Sequence, residues 1–206
     1  MSTNSCVLVY AILVGSGFRY DEAALSAARR EKIARIGSAE AKNLSAAAEM
    51  ALSLALSRNV PGYLPPPALS YDAQGRPCVP DAFVSIAHTR GLAACAISDA
   101  PVGLDVEWKR PMDAKIARRV LAPAEMAAFP ASGQNEFLLL KWVAKEAYLK
   151  LTGEGIAGGM HRYAENEGLI LDADGKVRAH VVRLSLPGYH VAVCQKGPFR
   201  AEIVLL

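Results

Sequence analysis

Two short segments hold the residue types most suited to chemistry. The first is Gly103–Trp108, with the sequence GLDVEW. Alternate side chains of a β-strand point to the same face, so Asp105 and Glu107 would lie about 7 Å apart on one face. Two carboxylates on a rigid strand can share a hard cation. Taken alone, the same segment also fits a strand edge whose carboxylates face solvent.

The second segment is residues 142–150, with the sequence WVAKEAYLK. Helical spacing stacks Trp142, Glu146 and Lys150 along one side and leaves Lys145 adjacent to them. By itself, a Glu146 to Lys150 pair is most simply a surface ion pair worth about 0.5 kcal/mol. The second segment therefore indicates an active site only in combination with the first segment.

Together the segments offer both halves of a phosphate-transfer site. Asp105, Glu107 and Glu146 form an oxygen-ligand set suited to Mg²⁺, and Lys145 and Lys150 are available for phosphate. Mg²⁺ in proteins keeps positions for water and for substrate phosphates, so a diphosphate would complete its shell. Phosphoryl transfer depends on positioning and charge neutralisation, and these residues supply both.

The first half of the chain predicts a strand followed by two helices. Residues 6–14 are apolar and β-branched, which is typical of a buried strand. Residues 21–56 are rich in alanine and break near Gly37, so we expect two helices, the second capped by Ser38. Four prolines in residues 61–67 exclude a helix interior and indicate a loop.

Strands predicted at residues 82–86 and 92–97 form a hairpin and complete the first half. The second half repeats the order strand, helices, strands approximately. It has a predicted strand at 102–108, helical pattern at 113–129 and 135–151, ending at Gly153, and four short strands near 169 and at 177–184, 190–194 and 201–205. Because strands cluster, the pattern favours an α+β fold over a doubly wound sheet. We expect two α+β subdomains, residues 1–100 and 101–206, with the second carrying the carboxylate segments.

Composition limits the partners and the cellular location that we expect for the protein. The formal net charge is +3, too small for a dedicated nucleic-acid-binding arm but compatible with an acidic partner or an anionic ligand. The four cysteines lie far apart without paired spacing, which predicts buried free thiols in a reducing cytoplasm. Residues 1–5 contain no Lys or Arg, and the apolar run that follows is shorter than the ~18 residues of a membrane span. We therefore expect a soluble cytoplasmic protein.

The two chemical segments resemble the signature blocks of the 4'-phosphopantetheinyl transferases. VGLDVE at 102–107 matches one block and KWVAKEAYLK at 141–150 the other. Shorter similarities extend the resemblance over most of the chain: RREK at 29–32, GRP at 75–77, SIAHT at 85–89 and GEG at 153–155. The length and the N-terminal similarities resemble the surfactin-type (Sfp-like) branch and not the short trimeric synthases.

This resemblance implies a pseudo-two-fold pair of α+β subdomains with coenzyme A bound in the cleft between them. By motif position, Asp105, Glu107 and Glu146 would hold Mg²⁺ against the coenzyme A diphosphate. Glu146 would also help to deprotonate the acceptor serine, directly or through water. Lys145 and Lys150 would stabilise the diphosphate.

Further residues would bind the phosphates of coenzyme A. The resemblance assigns His88 and Arg76 to the phosphates or to the 3'-phosphate of the adenosine, and Ser45 to the 3'-phosphate. Arg29 and Lys32 match more loosely in the same region.

Two positions depart from the family pattern and weaken the expected 3'-phosphate site. Ala87 stands where the family usually has serine, and Ser53 where it often has arginine. Thr89 is a candidate to replace the missing hydroxyl and to contact coenzyme A.

The resemblance implies transfer of the phosphopantetheine arm to a serine of an apo acyl or peptidyl carrier protein, with release of 3',5'-ADP. Two alternatives stay open: a non-catalytic homologue that binds coenzyme A or a carrier protein, and a different Mg²⁺-dependent enzyme that cleaves diphosphates. We expect a monomer with no nucleic-acid or membrane partner.

Overall fold

The computed structural model describes residues 5–206; residues 1–4, on which the expectation about the chain's start partly rests, lie outside the described residues. The helices are α1 (Ala27–Ala34), α2 (Ala39–Asn59), α3 (Ala117–Val120), α4 (Pro123–Ala127) and α5 (Gln134–Thr152). The strands are β1 (Ser5–Leu13), β2 (Ser70–Tyr71), β3 (Pro77–Cys78), β4 (Phe83–Thr89), β5 (Leu92–Ser98), β6 (Gly103–Trp108), β7 (Ala164–Asn166), β8 (Leu169–Leu171), β9 (Val177–Leu186), β10 (Tyr189–Gln195) and β11 (Phe199–Leu205). Short 3-10 turns lie at Glu22–Ala24, Ala114–Ile116, Ile156–Gly158 and Met160–Arg162. The predicted α+β class is confirmed.

The first sheet has four strands in the order β11-β1-β5-β4. Strand β5 is antiparallel to β1 and β4, and β11 is parallel to β1. Helix α2 covers one face, where Leu52 packs in one apolar cluster with Cys95. The helix begins where predicted, because the Ser38 side chain accepts a hydrogen bond from the Ala41 amide and satisfies an N–H group that has no helical partner.

The second sheet has five antiparallel strands in the order β6-β10-β9-β8-β7. Helix α5 lies on it, with Val143 and Ala147 packed in one cluster with Ala192. The helix ends at Gly153, whose φ of 79° is left-handed and favours glycine. Each half of the molecule is thus a sheet with one long helix on its outer face.

The inner faces of the two sheets meet in a common apolar core. Val9 and Ala94 of the first sheet pack there with Leu104 and Val193 of the second. The last strand, β11, returns to pair with β1, so the C-terminal segment contributes to the first sheet. The division into residues 1–100 and 101–206 stays a prediction.

Two predicted elements differ in detail from the structure. The helical pattern of residues 113–129 is divided into α3 and α4, because Leu121 and Ala122 are extended, with ψ of 132° and 161°. Pro123 disfavours a helical residue before it. The predicted hairpin forms, but β4 continues through His88 and Thr89, and the turn is Arg90 with Gly91.

The predicted state of the cysteines is only half right. All four thiols are free; Cys95 and Cys194 are buried, whereas Cys6 and Cys78 are exposed. Among residues 5–206, no helix is both long enough and apolar enough to cross a membrane.

Gly103 lets α5 approach β6 closely. A β-carbon on Gly103 would lie 1.9 Å from the Ala147 carbonyl oxygen and 2.7 Å from the Leu151 amide nitrogen. Both are backbone atoms, which no rotamer change can move away. The packing of α5 on β6 therefore requires glycine at this position.

We predict that Gly103→Ala lowers the free energy of unfolding by at least about 2 kcal/mol, because the added methyl overpacks a backbone contact. Urea unfolding measures the change. Gly37→Ala is the control, since a β-carbon at Gly37 meets no atom within 4 Å. Equal losses in the two variants would contradict the close contact between α5 and β6.

Candidate active site

Strand β6 points Asp105 and Glu107 away from the core between the sheets. Leu104 and Val106 belong to that core, so the predicted alternation is confirmed. Asp105 is only 7% exposed, and Glu107 is half-buried. The alternative of a solvent-facing strand edge therefore fails for Asp105.

Asp105 is a buried carboxylate with one bonded oxygen. Its Oδ1 accepts a hydrogen bond from Lys150 Nζ at 2.8 Å, and its Oδ2 is buried without a hydrogen-bond partner. Burial raises the pKa of Asp105, the Lys150 ammonium opposes that rise, and Glu107 adds to it. An orphaned buried oxygen is costly unless it gains a donor or a cation.

Glu146 of α5 adds a third carboxylate to this region. It is 8% exposed. Burial and then the charge of Asp105 raise the pKa of Glu146 to about 7, against the opposing charge of Lys150. Lys150 pairs with Asp105 across the elements, so the expected surface pair between Glu146 and Lys150 is replaced by a contact between helix and strand.

Lys145 points to a different place from Lys150. It is 0% exposed, its Nζ donates to the Val120 carbonyl at 2.6 Å, and it forms a buried ion pair with Glu125. This corrects the expectation that Lys145 is available for phosphate, because its donors are committed inside the second half. Its expected roles in catalysis and in binding coenzyme A gain no support from this geometry.

A group of cations surrounds His88 at the end of β4. His88 is an exposed residue, but partial desolvation of its ring lowers its pKa to about 4, and the charges of Lys32, Lys150 and Arg29 lower it as well. Burial and the charge of Arg29 also lower the pKa of Lys32. The positive charges that lower the pKa values of His88 and Lys32 create a positive potential that an anion would relieve.

Arg29 and Ser45 form the buried base of this cation group. Arg29 is 1% exposed; its Nε lies 3.1 Å from Glu49 Oε2, and its Nη1 donates to Ser45 Oγ at 3.1 Å. Ser45 is also 1% exposed. The structure thus places Ser45 beneath Arg29, where its hydroxyl binds protein and is closed to a ligand.

Arg76 lines a cavity of about 490 Å³ together with Glu146 and Lys150. Its Nε lies 2.7 Å from Asp72 Oδ2, and its Nη1 donates to the Leu151 carbonyl at 3.2 Å. Arg76 therefore joins the hairpin of β2 and β3 to the end of α5. The cavity receives residues from both halves of the molecule.

Comparison with known proteins identifies the family. The model of the 4'-phosphopantetheinyl transferase superfamily matches residues 101–194. The 4'-phosphopantetheinyl transferase psf-1 of Bacillus pumilus is 32% identical over 145 residues, 65% of this chain and 62% of that protein. The holo-[acyl-carrier-protein] synthase of Nitratidesulfovibrio vulgaris is 30% identical over 105 residues, 48% of this chain and 84% of that protein. This chain belongs to the 4'-phosphopantetheinyl transferase superfamily.

Within the superfamily, the Bacillus proteins support the Sfp-like branch. The 4'-phosphopantetheinyl transferase Sfp of Bacillus subtilis (strain 168) is 27% identical over 149 residues, 64% of this chain and 65% of that protein. The alignments thus span less than two thirds of the length of these Bacillus relatives. Among solved structures, Thermotoga maritima holo-[acyl-carrier-protein] synthase aligns with a TM-score of 0.37 and 25% identity, covering 46% of this chain and 61% of that one.

The two departures from the superfamily pattern have structural partners. Ala87 is 3% exposed and packs in the core between the sheets. Ser53 Oγ lies 2.8 Å from Tyr63 Oη. Thr89, the candidate replacement, donates to Glu107 Oε2 at 3.3 Å, so its hydroxyl faces the carboxylates and not the cations around His88.

The carboxylates fit a divalent cation by their chemistry, although they are not assembled as a complete ligand set. In residues 5–206, no group of three or more His, Cys, Asp or Glu side chains is arranged to hold a metal ion. Mg²⁺ needs fewer, because it binds through one or two carboxylates with waters and substrate phosphates. The orphaned Oδ2 of Asp105 and the raised pKa of Glu146 are both relieved by a cation.

Sequence reasoning missed the network of charged side chains that holds α5 in place. Lys141 Nζ lies 2.8 Å from Glu165 Oε2, and Arg183 Nη2 lies 2.9 Å from the same oxygen. Glu125 Oε1 accepts a hydrogen bond from the Glu165 amide at 2.9 Å. A glutamate in the first turn of a helix that begins with proline was a detectable signal for Glu125, but its distant partners were not.

We predict that Glu146 makes stability fall as pH rises from 4.5 to about 7. Its pKa is raised from 4.5 to about 7 in the folded protein, so in this window the folded state keeps a proton that the unfolded state has released. The contribution is fully present below pH 4.5 and is lost above pH 7. Urea unfolding at a series of pH values, with a chelator present, measures it.

The matched variants separate this effect from other titrations. Glu146→Gln has no carboxyl to titrate, so its advantage over the wild-type protein should grow through the same window. Glu202→Gln, at an exposed position, should follow the wild-type curve. A constant difference between Glu146→Gln and wild type would contradict the raised pKa.

Proposed function

We propose that this protein transfers the 4'-phosphopantetheine arm of coenzyme A to a serine of an apo acyl or peptidyl carrier protein. The serine oxygen attacks the phosphorus that bears the pantetheine, the bond between this phosphorus and the bridging oxygen breaks, and 3',5'-ADP leaves. Superfamily membership supports this activity. The observation that carries it is the cavity in which Glu146 and Lys150 lie together, with Asp105 bonded to Lys150 behind them.

The cations account for the binding of the anionic substrate. Lys150 and Arg76 line the cavity, and Lys32, Arg29 and Lys150 act on His88. A diphosphate and a 3'-phosphate carry several negative charges, which this group would neutralise. Lys150 would shift from Asp105 toward the diphosphate as the substrate binds.

Glu146 is suited to accept the serine proton. Burial and the charge of Asp105 raise the pKa of Glu146, which makes its carboxylate more basic than that of an ordinary glutamate. A cation bound to the same carboxylate would reduce this rise. Glu146 would take the proton directly or through one water.

Asp105, Glu107 and Glu146 would hold Mg²⁺. When bound, this ion supplies positive charge that stabilises the diphosphate during transfer. Asp105 would offer its unpartnered oxygen.

We further propose that the enzyme is a cytoplasmic monomer. Both walls of the cavity come from one chain, which supports activity without a second subunit. Light scattering tests this, and a trimer would contradict it.

Mass spectrometry of an apo carrier protein incubated with enzyme, coenzyme A and Mg²⁺ tests the activity. The carrier should gain about 340 Da, the mass of the transferred arm. No gain on fatty-acid, polyketide and peptide-synthetase carriers, with tight coenzyme A binding by calorimetry, would favour the non-catalytic alternative. Release of 3',5'-ADP without a carrier would favour a different diphosphate-cleaving enzyme.

We predict that Lys150→Met lowers kcat by about 100-fold or more, the scale for loss of one preorganised electrostatic group. Lys150→Arg should recover part of the loss, because it keeps the charge with a different donor geometry. Steady-state transfer kinetics measure both. Lys176→Met, at an exposed position, is the charge-matched control.

Lys150→Met is also expected to change stability, because Lys150 forms an ion pair with Asp105. Lys150→Met leaves Asp105 without its cation, so a lower melting temperature is also expected, and kinetics must be measured where circular dichroism shows a folded protein. A folded Lys150→Met enzyme with near-normal turnover would remove Lys150 from the active site.

A further inference from the structure

Two hydroxyl groups of β4 bind the backbone of β6. Ser85 Oγ accepts a hydrogen bond from the Leu104 amide at 2.9 Å, and Thr89 Oγ1 accepts one from the Trp108 amide at 3.4 Å. Strands β4 and β6 are edge strands of different sheets, so these amides face no strand of their own sheet. Side-chain hydroxyls satisfy them instead. We call Ser85 and Thr89 the hydroxyl clamp.

Thr89 makes a second bond that Ser85 does not make. Its Oγ1 donates to Glu107 Oε2 at 3.3 Å. A hydroxyl has one proton and two lone pairs, so Thr89 can accept from Trp108 and donate to Glu107 at the same time. The other carboxylate oxygen, Oε1, lies 3.6 Å from Arg110 Nη2. Both oxygens of Glu107 therefore have a partner. Of the two partners, Thr89 is also hydrogen-bonded to the backbone of β6, through the Trp108 amide.

We propose that Thr89 is a positioning residue that orients the Glu107 carboxylate for a divalent cation. The proposal rests on the proposed function, which makes Glu107 a metal ligand. It replaces the expected contact between Thr89 and coenzyme A. Alternation along β4 puts His88 on the face opposite Thr89, so the cations around His88 and the hydroxyl of Thr89 serve different parts of the site.

The surroundings of Thr89 restrict the motion of its hydroxyl, as a positioning role requires. Its hydroxyl accepts a long hydrogen bond from the Trp108 amide, and its β-branched side chain adopts few χ1 rotamers. Ala87, between the two members of the clamp, is buried and has no hydroxyl to share the task. Removing a group that orients a metal ligand typically lowers metal affinity by about 10- to 100-fold.

Binding of Mn²⁺ alone, followed by electron paramagnetic resonance, tests the proposal without any transfer reaction. Thr89→Val, which keeps the shape and loses the hydroxyl, should weaken Mn²⁺ binding by about tenfold or more. Thr89→Ser should restore most of the affinity. Ser85→Ala breaks the other half of the clamp and should leave Mn²⁺ affinity close to wild type. Glu107→Gln gives the Mn²⁺ affinity that remains when the proposed metal ligand, the Glu107 carboxylate, is removed.

Amide hydrogen exchange supplies a local check on the same variants. Thr89→Val should speed exchange at Trp108 and not at Leu104, and Ser85→Ala should do the reverse. Thr89→Ala is the second hydroxyl-free variant and replaces Thr89→Val if valine does not fold. These measurements show that each variant loses the bond intended.

The outcomes separate this proposal from the proposed function. Unchanged Mn²⁺ affinity in Thr89→Val, or wild-type affinity in Glu107→Gln, would overturn the positioning role. Absence of transfer by the wild-type protein on every carrier, beside Mn²⁺ affinity that depends on Thr89 and Glu107, would overturn the proposed function and leave the positioning role intact.

Discussion

The ion pair between Asp105 and Lys150 is the contact on which the candidate site depends. It joins β6 of the second sheet to α5, with Lys150 Nζ 2.8 Å from Asp105 Oδ1. Lys150 therefore lies in the same region as the three carboxylates. The ion pair forms because α5 lies directly on β6, where the Ala147 carbonyl occupies the space of a missing Gly103 side chain. Lys150 follows Ala147 by three residues, which is nearly one turn, so the same approach that needs glycine also brings the ammonium to Asp105.

Two buried ion pairs hold the elements around this contact, one in each half. The side chains of Arg29 and Glu49 are 2% and 1% exposed, and those of Lys145 and Glu125 are 0% and 6% exposed. A buried pair gains little over apolar packing, but breaking one leaves an uncompensated charge and typically costs about 3–5 kcal/mol. Such pairs therefore favour one arrangement of α1 on α2, and of α4 on α5, over alternatives that separate the charges.

Local signals predicted the elements well, because their causes are local. The cap at Ser38, the stop at Gly153 and the alternation that puts Asp105 and Glu107 on one face all follow from a few neighbouring residues. The partners of Lys145 and Lys150 could not be predicted in this way. Both lysines lie on α5, and only tertiary packing decides that one meets the distant Glu125 while the other meets Asp105.

Ser45 and β11 also have contacts that sequence patterns did not predict, because their partners are far away in sequence. Motif position assigned the Ser45 hydroxyl to a phosphate, but the approach of Arg29 from α1 covers it. Strand β11 pairs in parallel with β1, far away in sequence, and a periodic pattern contains no information on which strand will be the neighbour. Sequence thus predicted the charged residues of the candidate site but not the partners that each of them contacts.

The electrostatics of the site favour a ligand that carries both signs of charge. Burial raises the pKa values of Asp105 and Glu146, and neighbouring carboxylates add to the rise, Glu107 for Asp105 and Asp105 for Glu146. A cation that binds there would displace protons, so its affinity should increase with pH. Lys32, Lys150 and Arg29 lower the pKa of His88, and an anion bound beside them would oppose that effect. A divalent cation alone would meet Lys150 beside Asp105, and a diphosphate alone would meet three carboxylates. A metal–diphosphate pair would meet neither repulsion, because the metal would neutralise the carboxylates while the phosphate oxygens would give Lys150 a new partner.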